Sequence, residues 1–382
     1  MAATKNPKNP PYLSSVNART HIPLKMRRPS LARALLAWYA RNRRHLPWRP
    51  PPPGNGPVDP YAVLVSEVML QQTQVATVVP YFCRFLAAYP NVAALAASSE
   101  RNVLRLWQGL GYYSRARNLH AAARKIVAQF AGQIPRSVRD LQTLPGIGRY
   151  TAGAIASIAF DQPAPILDGN VARVLCRLEK IQADPRLPAT VRRLWQLAED
   201  ILPVRHCGQF NSALMDLGAT ICTPRQPNCP TCPLRRFCQA AAAGLQQTIP
   251  PPRKSPPAPT LARWTICVHR QDRWLLERRP RTGRWAGLWQ FPTIEALHAR
   301  PTPQSIGPGI GLRIAGLRKI GQIRHALTHR RYVFTAFTAT ARTVAQLHNR
   351  RWIRLKDLHR FPLSRPQLKI AEMLRALPTM AE

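Results

Sequence analysis

The sequence predicts a multidomain protein, an all-α domain followed by a smaller α+β domain, and three observations carry that prediction. From Tyr61 to about Ala243 apolar residues recur at helical spacing and β-branched alternation is rare. The segment IPPPRKSPPAP, Ile249–Pro259, reads as a stiff extended linker. Beyond it Thr265–His269 with Trp274–Glu277, and Arg331–Ala339, read as strands. A chain of 382 residues has room for two or three domains with substantial cores.

Taken in order, residues 1–29 read as a disordered basic arm, with KNPKNPP and PLKMRRP; the first 58 residues hold eleven Lys or Arg and no Asp or Glu. The same composition also suits an organelle transit address. The helical domain is assigned to 30–245. Its first helix, Leu31–Arg44, should end near the turn His45-Leu-Pro-Trp-Arg49, with Pro50–Pro57 a surface loop. Val138–Leu144, Arg149–Phe160 and Val171–Leu178 read as further helices. The linker is assigned to 246–260 and the second domain to 261–382, closed by a helix over Arg365–Leu377.

The net charge of +39 points to a polyanionic partner. It is spread over the chain: residues 251–382 carry 25 basic and 6 acidic residues, and the remainder 31 and 11. Nucleic acid is the default, since neutralising phosphates releases counterions. An anionic membrane is the rival, but no basic amphipathic stretch with a clean apolar face appears, and no apolar run is long enough to span a bilayer. No membrane partner is expected. There is no secretory signal pattern, and a cytosol-like compartment is expected.

Cys222, Cys229, Cys232 and Cys238 form the run C-x6-C-x2-C-x5-C. Four thiols within seventeen residues is ligand spacing. A structural zinc site usually shows two tight pairs separated by a longer insert. Here only one pair is tight, and the asymmetry suits one 4Fe–4S cubane, whose corners spread their ligands wider than a single ion does. Cys83, Cys176, Cys207 and Cys267 are expected to be free core cysteines.

Leu144-Pro-Gly-Ile-Gly148 lies between two helical stretches. Two glycines let the backbone turn tightly and point amides outward at the start of a helix, which is a phosphate grip. Spacing alone leaves a plain turn between core helices equally open. Further on comes Ile166-Leu-Asp-Gly-Asn170, where Asp168 stands just before a helix; by itself it reads as an ordinary N-cap.

Hairpin, following Asp and four-cysteine loop together resemble the helix-hairpin-helix DNA glycosylase superfamily. Within it, Asp59-Pro-Tyr-Ala-Val-Leu-Val-Ser-Glu-Val-Met-Leu-Gln-Gln-Thr-Gln-Val75 and Gly109-Leu-Gly-Tyr-Tyr-Ser-Arg-Ala-Arg-Asn-Leu-His120 look like the adenine DNA glycosylase (MutY) branch. The likeness runs from about Leu31 into the C-terminal region. It implies base-excision repair of double-stranded DNA carrying 8-oxoguanine:A or G:A mispairs. The protein would work as a monomer in the cytoplasm, on the nucleoid, if bacterial.

Cleaving a purine N-glycosidic bond requires an acid for the leaving base and a carboxylate facing an oxocarbenium-like sugar. The resemblance assigns these roles to Glu67 and Asp168, with Asn170 assisting. On residue pattern alone, Glu67 reads as a buried acid paired with an Arg. Tyr150 stands where lyase-competent relatives carry Lys, so no Schiff base can form and a monofunctional glycosylase is implied. Tyr150 is expected to hydrogen-bond Asp168. Adenine must leave the duplex to be reached, and Gln72, Thr73 and Tyr112 match intercalating positions. Pro145, Gly146, Gly148 and Arg225 are assigned to DNA phosphates, and Trp48 and Arg49 to the adenine pocket. Ser212 stands where relatives often have Glu or Gln.

The second domain opens a Nudix-like pattern, Gly283-Arg-Trp-Ala-Gly-Leu-Trp-Gln-Phe-Pro292, yet Glu295 is followed by no further acid until Asp357. Magnesium-dependent pyrophosphatase chemistry is therefore not expected. The resemblance implies recognition of 8-oxoguanine through a loop, His325-Ala-Leu-Thr-His329, with Leu327, Thr328 and His329 as the reading residues.

Overall fold

The computed structural model describes residues 24–50, 56–252, 257–296, 300–327, 329–343 and 349–377. The first part is helical: α1 Leu24–Asn42, α2 Pro60–Leu70, α3 Val75–Ala88, α4 Val92–Ala97, α5 Glu100–Leu106, α6 Tyr113–Gln129, α7 Val138–Gln142, α8 Arg149–Phe160, α9 Gly169–Leu178, α10 Pro188–Ile201, α11 Cys207–Thr220 and α12 Gln239–Ala242. Its apolar residues divide into two cores. One gathers α2 to α8 around Trp107, Phe85 and Leu64, and the other gathers α1 and α9 to α12 around Phe210, Leu35 and Leu175. Helix α8 feeds both, through Ala152 and Ile155 on one side and Ala154 on the other. The crevice between the cores is therefore lined by α2, α8 and the start of α9.

Helix α1 begins seven residues before the sequence suggested, inside the segment assigned to the arm. The anchor is tertiary: Arg27 pairs with Glu179 at 3.1 Å and donates to the Phe237 carbonyl at 3.2 Å. Ile249, inside the expected linker, is 1% exposed and packs into the second core, where Arg177 donates to its carbonyl at 2.8 Å. Cys176, Cys207 and Cys267 are buried as expected, but Cys83 is exposed, on the outer face of α3.

The second part is a seven-stranded sheet: β1 Thr260–Arg270, β2 Arg273–Arg278, β3 Trp289–Gln290, β4 Thr293–Glu295, β5 Ile314–Leu327, β6 Arg330–Ala341 and β7 Arg350–Arg354. The order is β3-β2-β1-β6-β5, with β4 on β1 and β7 on β2. Among these strand pairs β1 and β6 run parallel and the others are antiparallel. Helix α13, Pro303–Ile310, covers one face beside Ile266 and Phe337. Helix α14, Arg365–Arg375, covers the other beside Phe291 and Phe334. The close approach of α14 explains Gly321, where a Cβ would meet Met373 Sδ at 2.8 Å. His325, Ala326 and Leu327, expected in a loop, instead end strand β5 beside the tip of the β5–β6 hairpin. Thr328 lies outside the described residues.

Candidate active site and nucleic-acid interface

Helix α2 starts on Asp59, whose side chain accepts from Tyr61 N at 2.9 Å, with Pro60 in the first turn. Eight of its eleven residues are buried, so it runs through the core and not over the surface. Glu67 is the anomaly on this apolar helix, 4% exposed. Burial pushes its carboxyl up to about 7; a hydrogen bond from the Tyr150 hydroxyl opposes this, Asp168 adds to it and Arg49 opposes it. A carboxyl in this range can both give and take a proton near neutral pH.

The Tyr150 hydroxyl donates to Glu67 Oε2 at 3.0 Å and touches Met215 Sδ at 3.3 Å. The expected bond from Tyr150 to Asp168 is therefore corrected: the tyrosine is committed to the other carboxyl. Asp168 is already occupied. One oxygen accepts from Val171 N at 2.7 Å, capping α9, and the other accepts from Asn170 Nδ2 at 3.1 Å. The N-cap reading holds alongside the candidate role, because capping leaves the carboxylate at the crevice. Burial raises the Asp168 carboxyl, while these two hydrogen-bond donors and then Arg173 pull it down.

Trp48 and Arg49 line a cavity of about 440 Å³ with Tyr39, Arg43 and Ser212. Glu67 does not line it, and Arg49 faces elsewhere than a free pocket wall would. Its guanidinium grips Asp216 at 2.7 and 3.1 Å, and Arg44 joins the same carboxylate at 2.6 Å. Asp216 is fully buried, and the two arginines hold its carboxyl below the ordinary value against the opposing pull of burial. Trp48 stands edge-on to Phe82 with ring centroids 5.2 Å apart, so it belongs to the core as well as to the cavity. Asp216 was missed in the sequence; a lone acid inside the apolar run of α11 was the available signal.

The hairpin is pinned by Leu144 and Ile147, both buried, and turns at Gly146 with φ +77°. A Cβ at Gly146 would strike Asn118 at 2.7 Å, whereas one at Gly148 would meet nothing within 4 Å. Gly148 is the N-cap of α8, and Pro145 is half-buried beside it. This leaves the first turn of α8 open to an approaching anion. Gln72 and Tyr112 both stand exposed on left-handed backbone, φ +58° and +47°, a conformation that costs a non-glycine residue energy. Thr73 beside them accepts from Arg115 at 3.0 Å.

Tyr112, Leu327 and His329 share the walls of one cavity of about 690 Å³ between the two parts, together with Trp285, Arg281 and Arg365. The parts meet through the loop that carries Tyr112. Gln108 Oε1 accepts from Leu363 N at 3.1 Å, the Tyr113 hydroxyl donates to the Leu363 carbonyl at 3.2 Å, and Arg117 donates to the Ala286 carbonyl.

Cys222, Cys229, Cys232 and Cys238 converge on one small cavity, with Arg177 and Arg235 in its wall. Among the described residues no group of three His, Cys, Asp or Glu has the arrangement to hold a metal ion, so the fit rests on the chemistry of the donors. Burial, and after it the three neighbouring cysteines, push the Cys232 thiol up to about 12 against a backbone hydrogen bond near Leu234. Burial raises the Cys238 thiol as well, and four thiols converging on one cavity form a donor set that fits an iron–sulfur cluster. Arg177, 2% exposed and unforeseen in the sequence, donates to Cys222 Sγ at 3.2 Å and to the carbonyls of Thr223 and Pro224 at 2.7 and 3.1 Å. Arg225 lies exposed on the same loop.

Residues 65–200 match the model of the HhH-GPD superfamily base excision DNA repair protein, and residues 263–373 that of the NUDIX domain. Human adenine DNA glycosylase is 37% identical over 358 residues, covering 80% of this chain and 66% of its own length. The rat protein of the same name is 36% identical, with 88% and 76% covered. That of Buchnera aphidicola from Acyrthosiphon pisum is 33% identical, with 88% and 95% covered. Among solved structures, a thermostable thymine-DNA glycosylase aligns with a TM-score of 0.51 at 28% identity, over 58% of this chain and 99% of its own.

Proposed function

The chain belongs to the adenine DNA glycosylase family, and we propose that it removes adenine mispaired with 8-oxoguanine or guanine by hydrolysing the N-glycosidic bond, leaving an abasic site. The observation that carries the reading is the Glu67 carboxyl, buried, held up to about 7 and within the electrostatic reach of Asp168. Glu67 protonates a ring nitrogen of adenine, converting a poor leaving group into a neutral one. Asp168, held in place by the bonds it accepts from Val171 and Asn170, faces the positive charge that develops on the sugar. Tyr150 steadies the Glu67 carboxyl and offers no amine, so cleavage stops at the abasic site.

Gln72, Thr73 and Tyr112 open the stack, the turn Pro145–Gly148 and Arg225 hold phosphates, and Trp48 and Arg49, whose charge reaches Glu67, receive the base where that carboxyl can meet it. The cavity between the two parts takes the opposite base against Leu327 and His329, with Thr328 assigned to the same task. Cys222, Cys229, Cys232 and Cys238 would hold one 4Fe–4S cluster, which supplies loop order near Arg225. The chain acts on double-stranded DNA as a monomer. The test is single-turnover incubation with duplexes carrying one 8-oxoguanine:A, G:A or T:A pair, followed by alkali. Alkali-dependent scission at the adenine of the first two and not the third is expected; scission without alkali, or none at all, refutes the reading.

A further inference from the structure

Arg115 is 6% exposed, and its bonds converge on two separate segments. Its Nη1 donates to the carbonyls of Val68 at 3.1 Å, Met69 at 2.7 Å and Gln71. Its Nη2 donates to Thr73 Oγ1 at 3.0 Å and to the Gly111 carbonyl at 3.3 Å. The guanidinium lies 5.2 Å from the ring centroid of Tyr112 and 5.5 Å from that of Trp107. The first three acceptors are the unsatisfied carbonyls at the end of α2, where the helix dipole favours a cation. Gly111 belongs to the loop that carries Tyr112.

We propose that Arg115 is a positioning residue for adenine extraction: it straps the end of the helix that carries Glu67 to the loop that carries Tyr112. The wedge residues and the acid are thereby held in one relation. The argument is one of strain. Gln72 and Tyr112 sit in left-handed backbone, a conformation that persists only where the surroundings over-determine it. Three of the five donated bonds fall on Gln71, Thr73 and Gly111, which flank these two, and the other two fall on Val68 and Met69 at the end of α2. Burial lowers the Arg115 guanidinium to about 10, so it keeps its charge at neutral pH despite the lack of a carboxylate partner. A cation buried on neutral carbonyls is costly unless geometry is what it secures.

The inference rests on the glycosylase reading, and its test reads extraction apart from cleavage. 2-Aminopurine replaces the target adenine opposite 8-oxoguanine, and the early fluorescence rise at saturating protein reports unstacking. Arg115→Met and Arg115→Lys are compared with the native chain, alongside single-turnover excision and affinity for the abasic product duplex. In Arg115→Met the fluorescence rise should be lost and excision should fall about 100-fold, the cost of a misplaced reacting group, while product affinity stays native. Lysine keeps the charge but cannot fork to both segments, so it should fall between. A native fluorescence rise in either folded variant overturns the proposal. So does product affinity falling as steeply as excision, since that marks a general scaffold. If Arg115→Met does not fold, Arg115→Lys decides on the same readouts. A native chain that unstacks the base without cleaving it refutes the proposed function and leaves this inference standing.

Discussion

Replacing Glu67 with Gln should make the protein more stable, and increasingly so as pH rises. In the unfolded chain this carboxyl titrates near its ordinary 4.5, and in the fold near 7. Below the first value both states hold the proton and ionisation contributes nothing. Between the two the fold alone holds it, so native stability declines as pH rises and has lost the whole contribution once the folded value is passed. The distance from 4.5 to about 7 corresponds to about 3 kcal/mol. Gln is neutral throughout and its carbonyl still accepts from Tyr150, so the variant escapes this loss. Thermal melts of both proteins at about pH 5 and about pH 8.5, at one ionic strength, should show a gap that widens by several degrees at the higher pH. Excision by the native protein should fall as pH passes about 7, while the variant shows little excision anywhere. A gap equal at both pH values would refute the burial argument, and with it the acid role of Glu67.

Asp168→Asn should lose excision by a factor of about 100 or more while retaining mispair binding and the cap on α9, because Asn caps as well as Asp; near-native adenine release would remove Asp168 from the chemistry. Tyr150→Lys should gain borohydride trapping on abasic DNA, and efficient trapping by the native protein would contradict the hydrolytic reading. Purified native protein should be brown with about four irons per chain, and Cys229→Ser should lose both colour and DNA affinity; stoichiometric zinc without iron in anaerobic preparations would defeat the cluster assignment.

Much of the architecture was legible because it is written in local chemistry. The turn Pro145–Gly148 needs glycine, the cysteine run needs its spacing, and the apolar periodicity of α2 and α8 follows from burial on helical faces. Strand β5 was hidden for an equally physical reason. Two register shifts, between Ala315 and Arg318 and between Lys319 and Gly321, break the alternation on which a strand is recognised. The partner of Tyr150 could not be read from spacing either. Glu67 and Asp168 both lie within its electrostatic reach, and spacing does not say that its hydroxyl goes to Glu67 while Asn170 and Val171 bond Asp168. Asp216 escaped likewise, since its two arginines lie more than 160 residues away.

The junction between the two parts has a directional grammar. At these three hydrogen bonds the first part supplies side chains, from Gln108, Tyr113 and Arg117, and the second supplies main-chain atoms of Leu363 and Ala286, while Arg278 and Arg281 add longer ion pairs to Glu100 at 3.9 Å. A main-chain acceptor is offered by whatever residue occupies the position. Substitutions at these two sites, proline at 363 excepted, can therefore leave the polar joint intact, whereas truncating Gln108, Tyr113 or Arg117 to alanine removes a bond outright. The second part can vary its side chains at this joint, and the first part keeps the key to their assembly.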